Sequence, residues 1–183
     1  MKSLVLASQS GEIPAESTLI IAPNQSSPSI QTAESIGVQA IILNPNSATY
    51  SEELLHALIT NSIDFICLAG FLRLVPGQII QVFPNRILNI HPALLPNFGG
   101  KGMYGAKVHA AVAEALSAGL VKESGCTVHR VNEHYDDGAI IAQSKCDLKP
   151  GMDSQDIEKA VRDLEPSTYI RAINLMLTQE GLI

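Results

Sequence analysis

Asn89 and His91 lie two residues apart in an apolar stretch, Ile87 to Ile90, that Pro92 stops. In an extended strand, residues i and i+2 point to the same face. The pair therefore sets a carboxamide donor beside a titratable imidazole at the end of a strand, since proline cannot continue a ladder. In open α/β sheets, ligands bind at the carboxyl ends of strands. An amide donor and a protonatable ring at such an edge suit stabilisation of a developing oxyanion. A nearby carboxylate would favour the imidazolium and raise its pKa. Asp136 is the natural third member and Asp137 its competitor, both in the polar run from Asn132 to Gly138. Asp-Asp-Gly is also ordinary turn chemistry, and a polar strand end with satisfied hydrogen bonds also accounts for Asn89 and His91. Spacing alone does not place the loop over the ring.

The elements that must position these residues follow from apolar patterning. Short, nearly continuous apolar runs at Leu4–Ala7, Leu19–Ala22, Ala40–Leu43 and Phe65–Ala69 predict parallel strands covered on both faces. Helical patterns lie between them, one capped by Ser51 with Leu54, Leu55, Leu58 and Ile59 on its apolar face. This alternation predicts an α/β sheet with right-handed crossovers. After Ile87–Ile90 come a glycine-rich loop, Asn97 to Tyr104, and a helix presenting Val108, Ala111, Val112, Ala115 and Leu116, closed by Gly119. Gly125–Val131 and Ala139–Asp147 read as two further strands. Asp153 can cap a helix through Ile157, Val161 and Leu164. Pro166 is expected to end or kink it, because a mid-helix proline costs about 3 kcal/mol. A second helical stretch runs from Thr168 to Leu177. With no repeat or linker, residues 1–183 form one domain.

Composition narrows the function classes. A chain 46% hydrophobic and 16% charged is not intrinsically disordered. A net charge of −6 argues against electrostatic capture of nucleic acid or an anionic membrane. No run approaches the roughly 20 apolar residues of a membrane helix. The start faintly resembles a signal peptide, but its apolar core is too short and Ser8-Gln9-Ser10 follows at once. Cys67, Cys126 and Cys146 are unpaired by spacing and read as reduced thiols in a cytoplasmic protein, not as a disulfide frame or a zinc site. Cys126 lies in a strand pattern and reads as core, not as a nucleophile. His56 and His109 lie on helix patterns and read as structural or exposed. The absence of G-x-G-x-x-G after the first apolar run argues against a nicotinamide dinucleotide. Monomer and homodimer both stay open.

The run Asn89-Ile90-His91-Pro92-Ala93-Leu94-Leu95-Pro96 resembles the signature of the folate-dependent formyltransferases. Three further stretches resemble the branch that formylates glycinamide ribonucleotide in purine synthesis. They are Ala69–Arg73, Gly99–Gly105 with Val108-His109, and Tyr135–Gln143. The resemblance implies a Rossmann-like formyltransferase fold with a mostly parallel central sheet and helices on both faces. It implies formyl transfer from 10-formyltetrahydrofolate, as co-substrate and without a metal, to the amine of glycinamide ribonucleotide. By match, Asn89, His91 and Asp136 are catalytic. Leu72, Arg73, Leu74 and Val75, with Asn132, Glu133, His134, Tyr135 and Asp136, hold the folate, and Asn89 faces it. His129, in Thr-Val-His-x-Val, stands behind these residues, and Lys101 at the edge of a lid. Gly11 and Glu165 fall on ribonucleotide-contact positions.

The N-terminus departs from that family. Family members follow their first strand with a Ser-Gly-x-Gly-Ser-Asn loop that opens a helix and cradles the phosphate. Here only Ser8 and Gly11 match, and Glu12-Ile13 replace Ser-Asn. With Leu4–Ala7 as a strand and the next apolar run at Leu19, the first crossover helix is expected to be missing. Glu52 stands where many members have an arginine, and Pro166 where they have a histidine. These departures predict weak ribonucleotide affinity. They also leave room for a paralogue that binds folate without catalysis or formylates another amine.

Overall fold

The computed structural model describes the chain from Met1 to Ile183. Helix α1 (Lys2–Gln9) leads to strand β1 (Leu19–Ala22), helix α2 (Pro28–Ile36), strand β2 (Gln39–Ile42), helix α3 (Tyr50–Thr60) and strand β3 (Ile66–Leu68). Helix α4 (Gly77–Val82), strand β4 (Ile87–His91), helix α5 (Ala106–Ser117), strands β5 (Glu123–Arg130) and β6 (Ile140–Asp147), and helix α6 (Ser154–Gln179) follow. The architecture is α/β with mixed strand pairing. β1 pairs with β2 in parallel, and a separate ladder runs β3-β4-β5-β6. Within it β3 and β4 are parallel, while β5 and β6 are antiparallel additions.

Alternation along β4 divides the interior. Leu88 packs with Val128, Tyr169, Ile173 and Met176 under α6, and Ile90 leans on the same side. Ile87 points the other way, toward Leu54, Leu58 and Ile79 of α3 and α4. Asn89 and His91 are two and four residues beyond Ile87 and share its side of the strand. The site thus lies on the face opposite α6.

The reading of Leu4–Ala7 as a strand is corrected. It is the body of α1, and the first helix is present. A four-residue apolar run does not distinguish strand from helix by itself. Packing decides: Leu4 and Ala7 meet the α6 cluster, Val5 meets Ile20 and Ala33, and Leu6 stays 46% exposed. Residues three apart on one side are a helical arc, not a strand's alternation.

Pro166 does not end a helix either, since α6 runs through it from Ser154 to Gln179. Its first half is started by a capping box at Asp153 and buries Ile157 and Val161, and its second half buries Tyr169, Ala172 and Ile173. Ser167 Oγ and Thr168 Oγ1 both donate to Leu164 O. Burial on both sides of the proline, helped by these bonds, outweighs its local cost. The cap expected at Ser51 sits at Thr49, and α3 begins at Tyr50.

Candidate active site

β4 brings Asn89 and His91 to one face, and β5 adds the residues opposite them. Asn89 pairs with His129 and His91 with Thr127. Asn89 Nδ2 lies 3.2 Å from His129 Nε2. His129 Nδ1 donates to Arg130 O at 2.8 Å, so its Nε2 carries the lone pair in the neutral ring and accepts from Asn89.

The hairpin between β5 and β6 folds back over this face and delivers Asp136. The hairpin is tight: a Cβ on Gly138 would stand 1.8 Å from Arg130 O. Asp136 adopts φ 53, a left-handed conformation that Asp tolerates better than most residues. Its Oδ2 lies 3.5 Å from His91 Nδ1 and its Oδ1 3.5 Å from His129 Nε2. Gly100 N–H donates to Oδ2 at 2.9 Å. A Cβ on the neighbouring Gly99 would stand 2.4 Å from Leu95 Cδ2 and 3.3 Å from Asp136 Cβ, so the glycine loop lies close on the carboxylate.

His91 is buried and donates from Nε2 to Phe98 O at 2.8 Å. Both ring nitrogens therefore face acceptors, and a second proton on Nδ1 would turn the Asp136 contact into an ion pair. The carboxylate raises the pKa of this ring, as expected, but the net direction is the opposite one. Burial lowers it below its ordinary value, against the opposing pull of Asp136 and Phe98 O. Desolvation dominates because the ring is shut from water while the carboxylate is 3.5 Å away. Burial pushes Asp136 up, but the nearby His129 ring, the bond from Gly100 N–H and the nearby His91 ring outweigh this and hold it low.

Behind the site, Thr127 and Gln143 clamp the segment after His91. Thr127 Oγ1 donates to Ala93 O and accepts from Leu95 N, and Gln143 Nε2 donates to Leu95 O. Sequence reasoning missed these two residues and the Phe98 carbonyl. It set His129 too far back. The cross-strand register that pairs His129 with Asn89 is the signal for it.

The other expected residues are placed as follows. Leu72 and Leu74 are exposed and Val75 is buried. Arg73 donates to Pro45 O and Asn46 Oδ1, tying the β3–α4 segment to the β2–α3 loop. Asn132 Oδ1 accepts from His134 N and Asn132 Nδ2 donates to Asp137 Oδ2, so Asp137 braces the hairpin. Glu133, His134 and Tyr135 are exposed along it, as is Lys101 on the glycine loop. Glu165, on α6, has its pKa raised by burial, with Arg162 and the chain's amino group opposing. Gly11 does not open a helix. It follows the C-terminal end of α1 at φ 80, where its N–H donates to Ser8 O. A helix C-terminus presents carbonyls and repels an anion, so the phosphate role expected of Gly11 is corrected.

Residues 1–173 match the family model described as "Formyl transferase". The chain belongs to the formyl transferase family. Among formyl transferase relatives, it is similar to the chloroplastic phosphoribosylglycinamide formyltransferase of Arabidopsis thaliana, at 37% identity over 89% of this chain and 56% of that one. Similarity to the Bacillus subtilis (strain 168) phosphoribosylglycinamide formyltransferase is 31% identity, over 89% of this chain and 81% of that one. The solved glycinamide ribonucleotide transformylase 1 of Symbiobacterium toebii superposes with a TM-score of 0.84. Its identity is 34%, with 98% of this chain and 82% of that chain covered. The chain thus spans about half the length of the plant relative and most of the bacterial ones. No helix of this formyl transferase is long and apolar enough to cross a membrane.

Proposed function

We propose that this formyl transferase carries the formyl group of 10-formyltetrahydrofolate to the primary amine of glycinamide ribonucleotide, in purine synthesis in the cytoplasm. The observation that supports the reading is the gathering of His91 and His129 around the single carboxylate of Asp136, with Asn89 held on His129.

The amine attacks the formyl carbon, and the carbonyl electrons move to oxygen. Asn89 Nδ2 donates to that oxygen, where charge develops, and the His91 ring does so when Nε2 exchanges Phe98 O for it. The new nitrogen bond leaves a proton on the attacking amine, and the folate N10 needs one to depart. A neutral imidazole takes the amine proton as a base and, once charged, gives it to N10 as an acid, which suits His91 to carrying it between the two nitrogens. Asp136 stabilises the charged ring while the proton is held there. N10 leaves as an amine, and the acceptor becomes a formamide. No covalent enzyme intermediate is needed.

In this reading the exposed Leu72 and Leu74, with Arg73, Val75 and the Asn132–Asp136 hairpin, hold the folate, and Glu165 contacts the ribonucleotide. The test is turnover of glycinamide ribonucleotide with 10-formyltetrahydrofolate. The expected result is tetrahydrofolate release, and a loss of about 100-fold or more in kcat for His91→Ala. Absence of turnover, or an undiminished His91→Ala variant, overturns the reading.

A further inference from the structure

The short segment from Phe98 to Gly100 holds both His91 and Asp136. Phe98 O accepts from His91 Nε2 at 2.8 Å, and Gly100 N–H donates to Asp136 Oδ2 at 2.9 Å. That same Oδ2 lies 3.5 Å from His91 Nδ1. The segment therefore sets the ring and the carboxylate against each other. Its composition does not make it stiff. Gly99 and Gly100 follow Phe98, and Phe98 itself adopts φ 57, a conformation that a bulky side chain keeps only when its surroundings enforce it.

Leu95 supplies that support. A Cβ on Gly99 would stand 2.4 Å from Leu95 Cδ2, so the Leu95 side chain lies directly against the backbone that follows Phe98. Leu95 is itself fixed on both sides of its backbone. Its N–H donates to Thr127 Oγ1 at 3.0 Å, and its carbonyl accepts from Gln143 Nε2 at 2.9 Å. Thr127 is buried and already donates its hydroxyl proton to Ala93 O. It has no second proton to offer, and no other donor reaches Leu95 O. Gln143 Nε2 also donates to Thr127 Oγ1 at 2.9 Å, so one amide ties the whole clamp together.

The clamp reaches the chemistry through the tautomer of His91. A neutral imidazole carries one N–H, and the bond made at one nitrogen decides which nitrogen holds it. Phe98 O takes the proton of Nε2. Without that acceptor, the carboxylate beside Nδ1 would draw the proton there instead. Nε2 would then turn a lone pair toward the oxygen on which charge develops, and repel it.

We infer that Gln143 is a positioning residue for formyl transfer: acting through Leu95 and the Phe98 carbonyl, it keeps the proton of neutral His91 on Nε2. Its effect on rate rests on the formyl-transfer reading, while its effect on the ring rests on the geometry alone.

The experiment compares the parent with Gln143→Met, which keeps the side chain's length and removes the amide. Arg171→Leu is the control. Arg171 donates to Gln143 O and Ser144 Oγ, so this change loosens β6 at the same residue without touching the amide. Nitrogen NMR of the His91 side chain reads the tautomer at a pH where the ring is neutral. Asp136, His129 and His109 are the titratable groups around it, and neither variant alters them. The parent and Arg171→Leu are expected to show Nε2–H, and Gln143→Met a clear Nδ1–H population. In Gln143→Met, kcat is expected to fall about tenfold or more, with KM for the folate close to that of the parent. If Gln143→Met does not fold, Gln143→Asn, which keeps the amide but draws it back by a methylene, must show the same change of tautomer. An unchanged tautomer in the folded variant overturns the inference, and so does the same change in Arg171→Leu. A parent without turnover overturns the formyl-transfer reading instead, and the tautomer still decides the role of Gln143.

Discussion

Asn89 and His129 face each other across β4 and β5, with the amide Nδ2 3.2 Å from the ring Nε2. The same Nε2 lies 3.5 Å from Asp136 Oδ1. A neutral His129 accepts from Asn89, and a protonated one donates to Asp136. The ring thereby sets the aim of the amide. His129→Ala leaves Asn89 free to rotate, and kcat is expected to fall about 100-fold, the cost of misplacing a donor. Circular dichroism and KM for the folate should stay near those of the parent. An unchanged kcat would show that Asn89 holds its position alone.

Asp136 raises the pKa of His91 against the stronger effect of burial. Asp136→Asn keeps the shape and removes the charge. The His91 ring, followed by NMR, should titrate below its ordinary value in the parent and lower still in the variant. Activity is expected to fall by about 100- to 10,000-fold, the range for general acid–base groups. A ring that titrates identically in both proteins would separate the two residues functionally.

Gly138 closes the hairpin that carries Asp136. Gly138→Ala places a methyl 1.8 Å from Arg130 O, and the backbone must move. A loss of about 1–3 kcal/mol in denaturant unfolding is expected, with activity reduced beyond what the lost fold explains. An alanine variant as stable and as active as the parent would mean that the hairpin tolerates displacement.

Pro166 interrupts the ladder of α6 and removes one donor. Pro166→Ala is expected to raise stability, by up to about 3 kcal/mol if nothing else shifts. Thermal unfolding checks this, and a lower Tm in the variant would show that the proline is needed for packing.

Stability should fall with acidification. Burial lowers the pKa of His91 and of His109, whose Nδ1 has no partner. Between those lowered values and the ordinary value of 6.5, the unfolded chain binds more protons than the native one. Stability is therefore fully present above about 6.5 and is lost as pH falls. Asp136, held low when folded, adds a loss of the same sign below its ordinary 3.8. Tm measured from pH 7.5 to pH 5 should decline, and His109→Leu should flatten the curve. A Tm that rises on acidification would contradict the burial of both rings.

The α/β alternation, the strand at Ile87–His91, the helix following Gly105 and the cap at Asp153 were legible in the chain, because period-2 and period-3.6 patterns and cap residues are local. So was the pairing of Asn89 with His91 on one face, which follows from strand geometry alone. Leu4–Ala7 was not legible, since four apolar residues carry no period. Nor was Pro166, where burial on both flanks overrides a local penalty. The direction of the His91 pKa shift was also out of reach, because it balances burial against distance.

The residue types able to move a proton and to donate to an oxyanion, and the strand that carries two of them, were determined by sequence. Tertiary structure alone decided that a hairpin folds Asp136 between His91 and His129, and that the glycine loop closes on it. Those are long-range outcomes of register and packing. They join residues dozens of positions apart, and no local pattern encodes them.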